Sequence, residues 1–248
     1  MFSESRSIKE AEIALRNRFA LVYEDEYVTA HGRYWNNVEL KTILKYLRPQ
    51  ANDVILDAGA GTGRLSIPLA GMVRSIISVD FSPKSIDILN KKAESLGIKN
   101  IHTCVCDLNE LQLEKESIDK AVSVQVIQHI PTEEERFDAL QRIYRSLKKS
   151  GILVMTVYNW KGKGRKEYYE KLSDSNGLYR YRFAATELSK LFSKVGFSNI
   201  KIKGVVNLPG KLASQSWMPL SFSYLDVWLS NFDFSRKLGA YLISIGRK

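Results

Sequence analysis

The stretch Val54-Ile55-Leu56-Asp57-Ala58-Gly59-Ala60-Gly61-Thr62-Gly63-Arg64-Leu65 passes from a short apolar run through three glycines into a helical pattern. Glycines at a strand-to-helix turn let the backbone approach a ligand closely, and the helix beyond them presents amides at its positive end. A small ligand is therefore expected at this loop. The spacing is Gly-x-Gly-x-Gly, and Arg64 stands where the last glycine of a dinucleotide loop would fall. No Gly-Lys-Ser/Thr follows, which excludes a nucleotide P-loop. Asp57 at the strand tip would repel a pyrophosphate and attract an ammonium, so the ligand is expected to be cationic there.

Further apolar runs lie on either side of this loop. Ile76–Val79, Ile101–Val105, Ala121–Val124 and Ile152–Val157 read as buried strands, and helical patterns lie between them at about 64–72, 83–96 and 133–148. Short apolar runs alternating with helices predict an α/β protein whose parallel sheet is covered on both faces. Helices are expected over 7–23 and 35–47 before the sheet, and over Thr186–Val195 after it, with Thr186 as N-cap and Gly196 at the end. Two last strands, Ile200–Asn207 and Ala240–Arg247, flank an aromatic segment at about 208–238. With no separating linker, 1–248 reads as one domain with a helical N-terminal segment (about 1–48).

The 248 residues are 44% hydrophobic and 26% charged, with 15 Gly and 6 Pro, which excludes a disordered, collagenous or low-complexity chain. No apolar run approaches the roughly 20 residues of a membrane span, and a cytoplasmic protein is expected. Cys104 and Cys106 are too few for a disulfide framework or a zinc site and are expected to be buried strand residues. Residues 1–158 carry 21 Lys+Arg against 21 Asp+Glu, and residues 159–248 carry 16 against 6. The whole net charge of +10 thus belongs to the C-terminal part, which favours an anionic partner such as nucleic acid, a phospholipid surface or a phosphorylated metabolite.

Asp80 ends the second strand, where a carboxylate can accept hydrogen bonds from a ribose diol, and Asp107 ends the third, placed for an adenine amine. An amino-acid end, a ribose and an adenine without phosphate describe S-adenosylmethionine.

The set Asp57-x-Gly59-x-Gly61-x-Gly63, Asp80 and Asp107-Leu108 resembles the successive motifs of class I S-adenosylmethionine-dependent methyltransferases. The stretch Val124-Gln125-Val126-Ile127-Gln128-His129-Ile130 is similar to the fourth-strand motif of the subfamily that includes ubiquinone and menaquinone biosynthesis enzymes. The resemblance covers about residues 35–160 and implies a Rossmann-like seven-stranded sheet of order 3-2-1-4-5-7-6 with strand 7 antiparallel. It implies cofactor binding by Asp57, Gly59, Ala60, Gly61 and Gly63, by Asp80 and Phe81, by Asp107 and Leu108, and by Gln125 near the methionine end.

Methyl transfer from a sulfonium needs positioning, with a base added when the acceptor must lose a proton. His129 after the fourth strand is the candidate base, set against a histidine that only caps or bonds the local backbone. The resemblance makes the N-terminal segment, to which His31 belongs, a lid, with Arg33, Tyr34 and Trp35 as candidates. The loop carrying Lys161, Lys163, Arg165 and Lys166 follows the fifth strand and is expected to border the acceptor. Tyr168, Tyr169, Tyr179, Tyr181 and Phe183 interleave with Arg180 and Arg182, a mixture that can stack on bases or pack as a cap. From Trp217 to Phe234 the only charges are Asp226 and Asp233, which reads first as an apolar cover over the acceptor pocket, with a dimer face, a membrane-surface helix or plain core as alternatives.

The expected function is methyl transfer to a small-molecule or lipid-like acceptor. Two alternatives stand beside it. Gln128–Glu133 and Tyr179–Phe183 resemble segments of wobble-uridine tRNA methyltransferases, which would make RNA the acceptor, and a methyltransferase-fold binding subunit would retain the cofactor without turnover.

Overall fold

The computed structural model describes residues 2–22, 29–170, 178–208 and 221–248, with residues 2–6, 30, 31, 169 and 170 described through their backbone only. His31, Tyr169 and Trp217, singled out from the sequence, have side chains outside the described residues.

Among the described residues, the helices α1 (Phe2–Phe19) and α2 (Ala30–Leu47) precede the sheet. Strands and helices then alternate, except that β4 follows β3 directly: β1 (Val54–Ala58), α3 (Ser66–Ala70), β2 (Ser75–Asp80), α4 (Pro83–Ser95), β3 (Ile101–Val105), β4 (Ile118–Val124), α5 (Glu133–Ser146) and β5 (Leu147–Tyr158). A hairpin of β6 (Glu167–Glu170) and β7 (Leu178–Tyr181) follows, then α6 (Ala185–Val195), β8 (Ser198–Val205), α7 (Phe222–Leu229), α8 (Ser235–Leu238) and β9 (Tyr241–Arg247). The seven-stranded sheet runs β3-β2-β1-β4-β5-β9-β8, and β9 is antiparallel to both of its neighbours. This is the order implied by the resemblance.

Alternation along each strand divides the core between two faces. Leu56, Ala121 and Leu153 point to the layer holding α5 and α6, where they meet Ile143, Leu188 and Phe192. Their neighbours Ile55, Val122 and Val154 point to the layer holding α2 and α3, against Val38, Ile43, Leu47 and Leu69. Register pairs Leu56 with Ile77 on one side and Ala121 on the other, so the carboxyl ends of β1, β2 and β4 finish together.

Two sequence expectations are corrected. The N-cap of α6 is Ala184 and Thr186 is already its second helical residue, because the Glu187 carboxylate reaches back to accept from the Ala184 amide at 3.3 Å. Cys104 is exposed and Cys106 half-buried, because β3 is the edge strand and Cys106 lies just beyond it. The hairpin β6–β7 was unforeseen; its strands pair Tyr168 with Arg180 and Tyr169 with Tyr179.

Candidate functional site

At the carboxyl end of β1 the chain turns back through residues 59–63. The amides of Gly59 and Ala60 both donate to Val79 O, at 2.7 and 2.9 Å, pinning the loop to β2. Gly59 has φ +90°, and a Cβ there would lie 2.1 Å from Val126 Cγ2, so the loop passes too close to the turn after β4 for any side chain. Gly61 differs: at φ +55° its Cβ would meet nothing within 4 Å, and it faces open space. Gly63 rests on Leu89 of α4, and Ala60 is buried with Ile86 and Leu89.

That open space is a cavity over the ends of β1 to β4. Gly59, Gly61 and Thr62 form its floor, Asp80 and Phe81 one side, Asp107 and Leu108 another, and Gln125, Val126 and His129 a third. Asp80 is held by two backbone amides, Gly61 to Oδ2 at 2.8 Å and Ser82 to Oδ1 at 2.9 Å. Burial raises its pKa against these donors and the nearby Arg16 charge. Asp107 accepts from the Asn109 amide at 2.9 Å through Oδ1, and its Oδ2 lies 3.1 Å from Lys9 Nζ.

Asp57 does not line the cavity. It sits beneath the loop, 2% exposed, and accepts from Ser66 Oγ at 2.6 Å. Burial pushes its carboxyl up to about 6, while the Ser66 bond and the Arg64 charge pull the other way.

Gln125, at φ +58°, is aimed by a buried acid that the sequence reading missed. Glu39 of α2, 3% exposed, accepts from Arg64 Nη2 at 2.9 Å, Thr156 Oγ1 at 2.8 Å and Gln125 Nε2 at 3.1 Å. One carboxylate thereby ties α2 to the residue after Gly63 and to the ends of β4 and β5. The available signal was an acid in the helical stripe Trp35, Glu39, Ile43.

The fourth wall is α1, through Lys9, Glu12, Arg16, Phe19 and Ala20. Lys9 pairs with Asp107, Asn17 Oδ1 accepts from Ser82 Oγ at 2.7 Å, and Glu12 Oε1 lies 2.9 Å from Arg16 Nη2. Arg180 from β7 reaches the same place: its Nη1 is 2.6 Å from His129 Nδ1 and 3.4 Å from Glu12 Oε1. Arg16 Nη2 is 3.2 Å from His129 Nε2. Burial and these two guanidinium charges hold the imidazole well below its usual pKa, so it is neutral at physiological pH. Lys9, Glu12 and Arg16 recur at helical spacing, which shows a common face but not what that face covers.

The residues expected to form a lid lie elsewhere. Arg33 is exposed, Tyr34 is buried with its hydroxyl donating to Asp226 Oδ2 at 3.1 Å, and Trp35 stands edge-on to Tyr241 with centroids 5.6 Å apart. Trp35 lines a second pocket past the end of β5, with Tyr158, Tyr168, Tyr241, Lys161, Lys163 and Arg182. The basic loop and the aromatic-basic stretch thus meet at one place, and among the described residues no acidic side chain lines it. Among the described residues no His/Cys/Asp/Glu group could hold a metal ion, and no helix is long and apolar enough to cross a membrane.

This sheet order, with a glycine loop after β1 and carboxylates ending β2 and β3, is the architecture of S-adenosylmethionine-dependent methyltransferases. A S-adenosylmethionine-dependent methyltransferase of Thermotoga maritima, described as a possible histamine N-methyltransferase, superposes with a TM-score of 0.66 over 94% of this chain and 97% of its own, at 24% identity. Residues 49–214 match the model of a methyltransferase domain, and the chain belongs to that family. An uncharacterized methyltransferase-like protein of Schizosaccharomyces pombe is 31% identical over 152 residues, covering 60% of this chain and 55% of the relative. Phosphoethanolamine N-methyltransferase 2 of Caenorhabditis elegans is 27% identical over 176 residues, covering 70% of this chain and 38% of the relative. The chain spans about half or less of the length of these two curated relatives.

Proposed function

We propose that this chain transfers the methyl group of S-adenosylmethionine to an acceptor held at the carboxyl end of the sheet. The observation that carries the proposal is the convergence of Gly61, Asp80, Asp107 and Gln125 on one cavity. The residues present fit the cofactor. Gly61 leaves unfilled the space a Cβ would take, the two oxygens of Asp80 each hold one amide and retain lone pairs for a diol, and Leu108 offers an apolar surface beside Asp107.

In this reading Asp80 with Phe81 would hold the ribose, Asp107 with Leu108 the adenine, and the 59–63 loop with Gln125 the methionine part. Asp57 would act from below through its charge. When bound, the cofactor supplies a methyl group on a positively charged sulfur that is already a good leaving group. The chain's own residues then bind, orient and exclude water. Glu39 fixes Gln125, and α1 closes the cavity from above as the N-terminal lid. A proton taken by His129 would sit between Arg16 and Arg180, so we assign His129 to the wall rather than to proton transfer.

For the acceptor, the small-molecule or lipid-like reading is supported by the apolar surface of α7 and α8. The RNA reading is supported by the basic and aromatic second pocket. Incubation of the protein with methyl-labelled S-adenosylmethionine and a fractionated cell extract separates them. Label in the organic-soluble or small polar fraction supports the first, and label in RNA the second. Release of no labelled product alongside cofactor binding would leave a binding subunit.

A further inference from the structure

The helix α7 is inside out. Its polar residues Ser223 and Asp226, and Ser230 just beyond it, are fully buried, whereas Phe222, Tyr224, Leu225 and Trp228 are exposed by 41, 67, 43 and 54%. The inward face is fixed by hydrogen bonds. The Asp226 carboxylate accepts from the Asn207 amide at 2.7 Å, the Leu208 amide at 3.2 Å and the Tyr34 hydroxyl, and Ser223 Oγ accepts from Lys41 Nζ at 2.9 Å. The helix therefore cannot roll its apolar side inward without leaving a buried carboxylate and two amides unpaired.

The exposed side continues into the next turn. Trp228 meets Phe232 edge-on at 4.7 Å, Phe232 stacks on Phe234 at 5.4 Å, and Leu238 is also exposed. This is a contiguous aromatic ridge with basic residues around it. Lys41 Nζ lies 3.5 Å from the centroid of the Tyr224 ring, Lys45 bonds Asn231, and Arg236 and Lys237 are exposed beside Phe234 and Leu238. Among the described residues the one exposed acid of the ridge is Asp233, which is paired with Lys203 at 2.6 Å and lies 3.6 Å from Arg236 Nη2.

An exposed ridge of Trp, Phe, Tyr and Leu rimmed by Lys and Arg matches the boundary of an anionic bilayer, where rings enter the headgroup layer and cations meet phosphate. A second copy of the chain would set this basic rim against itself. We propose that α7 and α8 dock the protein on the surface of anionic phospholipid membranes. The ridge is fastened to α2, the helix that carries Glu39 of the cavity, so a docked molecule holds its site at a fixed height above the lipid.

The test is co-sedimentation of the full chain with phosphatidylcholine vesicles, with and without phosphatidylglycerol. Binding is expected on the anionic vesicles, falling as salt is raised, and falling by about tenfold or more in W228S/F232S, whose side chains lie on the surface. The pair R236E/K237E is expected to weaken binding to anionic vesicles and leave the weak binding to neutral ones unchanged. No partition onto anionic vesicles, or partition unaffected by W228S/F232S, would overturn the proposal. So would self-association, seen by sedimentation velocity and abolished by W228S/F232S, in a protein that ignores vesicles.

Discussion

Arg180 Nη1 lies 2.6 Å from Nδ1 of His129, so a permanent cation faces one nitrogen of the only described histidine that lines the cavity. With Arg16 on the other nitrogen, the imidazole stays neutral, and the expected outcome is an NMR titration in which His129 shows no transition near 6.5. Arg180→Met moves the transition upward, because one of the two charges is gone while Glu12 remains 3.5 Å away. The sign for stability follows from linkage. The folded-state pKa is depressed, so the unfolded chain takes the proton first, and stability is lost as pH falls below about 6.5. Urea midpoints that fall on acidification in the wild type and fall less in His129→Gln would bear this out.

Asp57 has the opposite sign. Its carboxyl rises from 3.8 to about 6 on burial, so the ionised form costs the fold about 3 kcal/mol at neutral pH, and that cost is relieved as pH falls from about 6 towards 3.8. Asp57→Asn keeps an acceptor for Ser66 and removes the charge. It is expected to be more stable than wild type at pH 7 by denaturant unfolding, and to bind S-adenosylmethionine more weakly by calorimetry. Equal affinity would remove Asp57 from the cofactor site.

The glycine loop makes a paired prediction. Gly59→Ala drives a Cβ into Val126 and is expected to cost about 3 kcal/mol of stability. Gly61→Ala meets no protein atom, and is expected to cost only about 1 kcal/mol through its backbone conformation while weakening the cofactor about tenfold or more. Thermal unfolding and calorimetry on the two variants separate the effects.

Much of this loop was legible in the sequence, because a strand, a glycine turn and an acid at each following strand end are all local signals. The order of the sheet came from the family that those residues resemble. What was not legible depended on contacts between distant segments. Lys9, Glu12 and Arg16 share a helix face in the sequence, but only folding shows that this face closes the cavity. Arg180 reads as one cation of an aromatic-basic mixture that can stack on bases or pack as a cap, and the hairpin β6–β7 buries it at 4% exposure against His129 and Glu12. Tyr34 and Trp35 read as lid residues, and the rise of α2 instead turns them towards Asp226 and Tyr241.

Glu39 joins the second helix to the site. Glu39→Gln leaves the guanidinium of Arg64 without its carboxylate and is expected to cost about 3 kcal/mol. The double variant Glu39→Gln/Arg64→Met is expected to lose less than the sum of the single losses in denaturant unfolding, since the two groups are in contact. Strict additivity would mean that the pair is not coupled.

If the cavity over β1 to β4 holds S-adenosylmethionine, titration calorimetry of the cofactor into the wild type and Asp80→Ala will show it. Saturable binding to the wild type is expected, lowered about tenfold or more when Asp80 no longer reaches the ligand. No heat of binding at millimolar cofactor, or equal affinity in the two proteins, would contradict it.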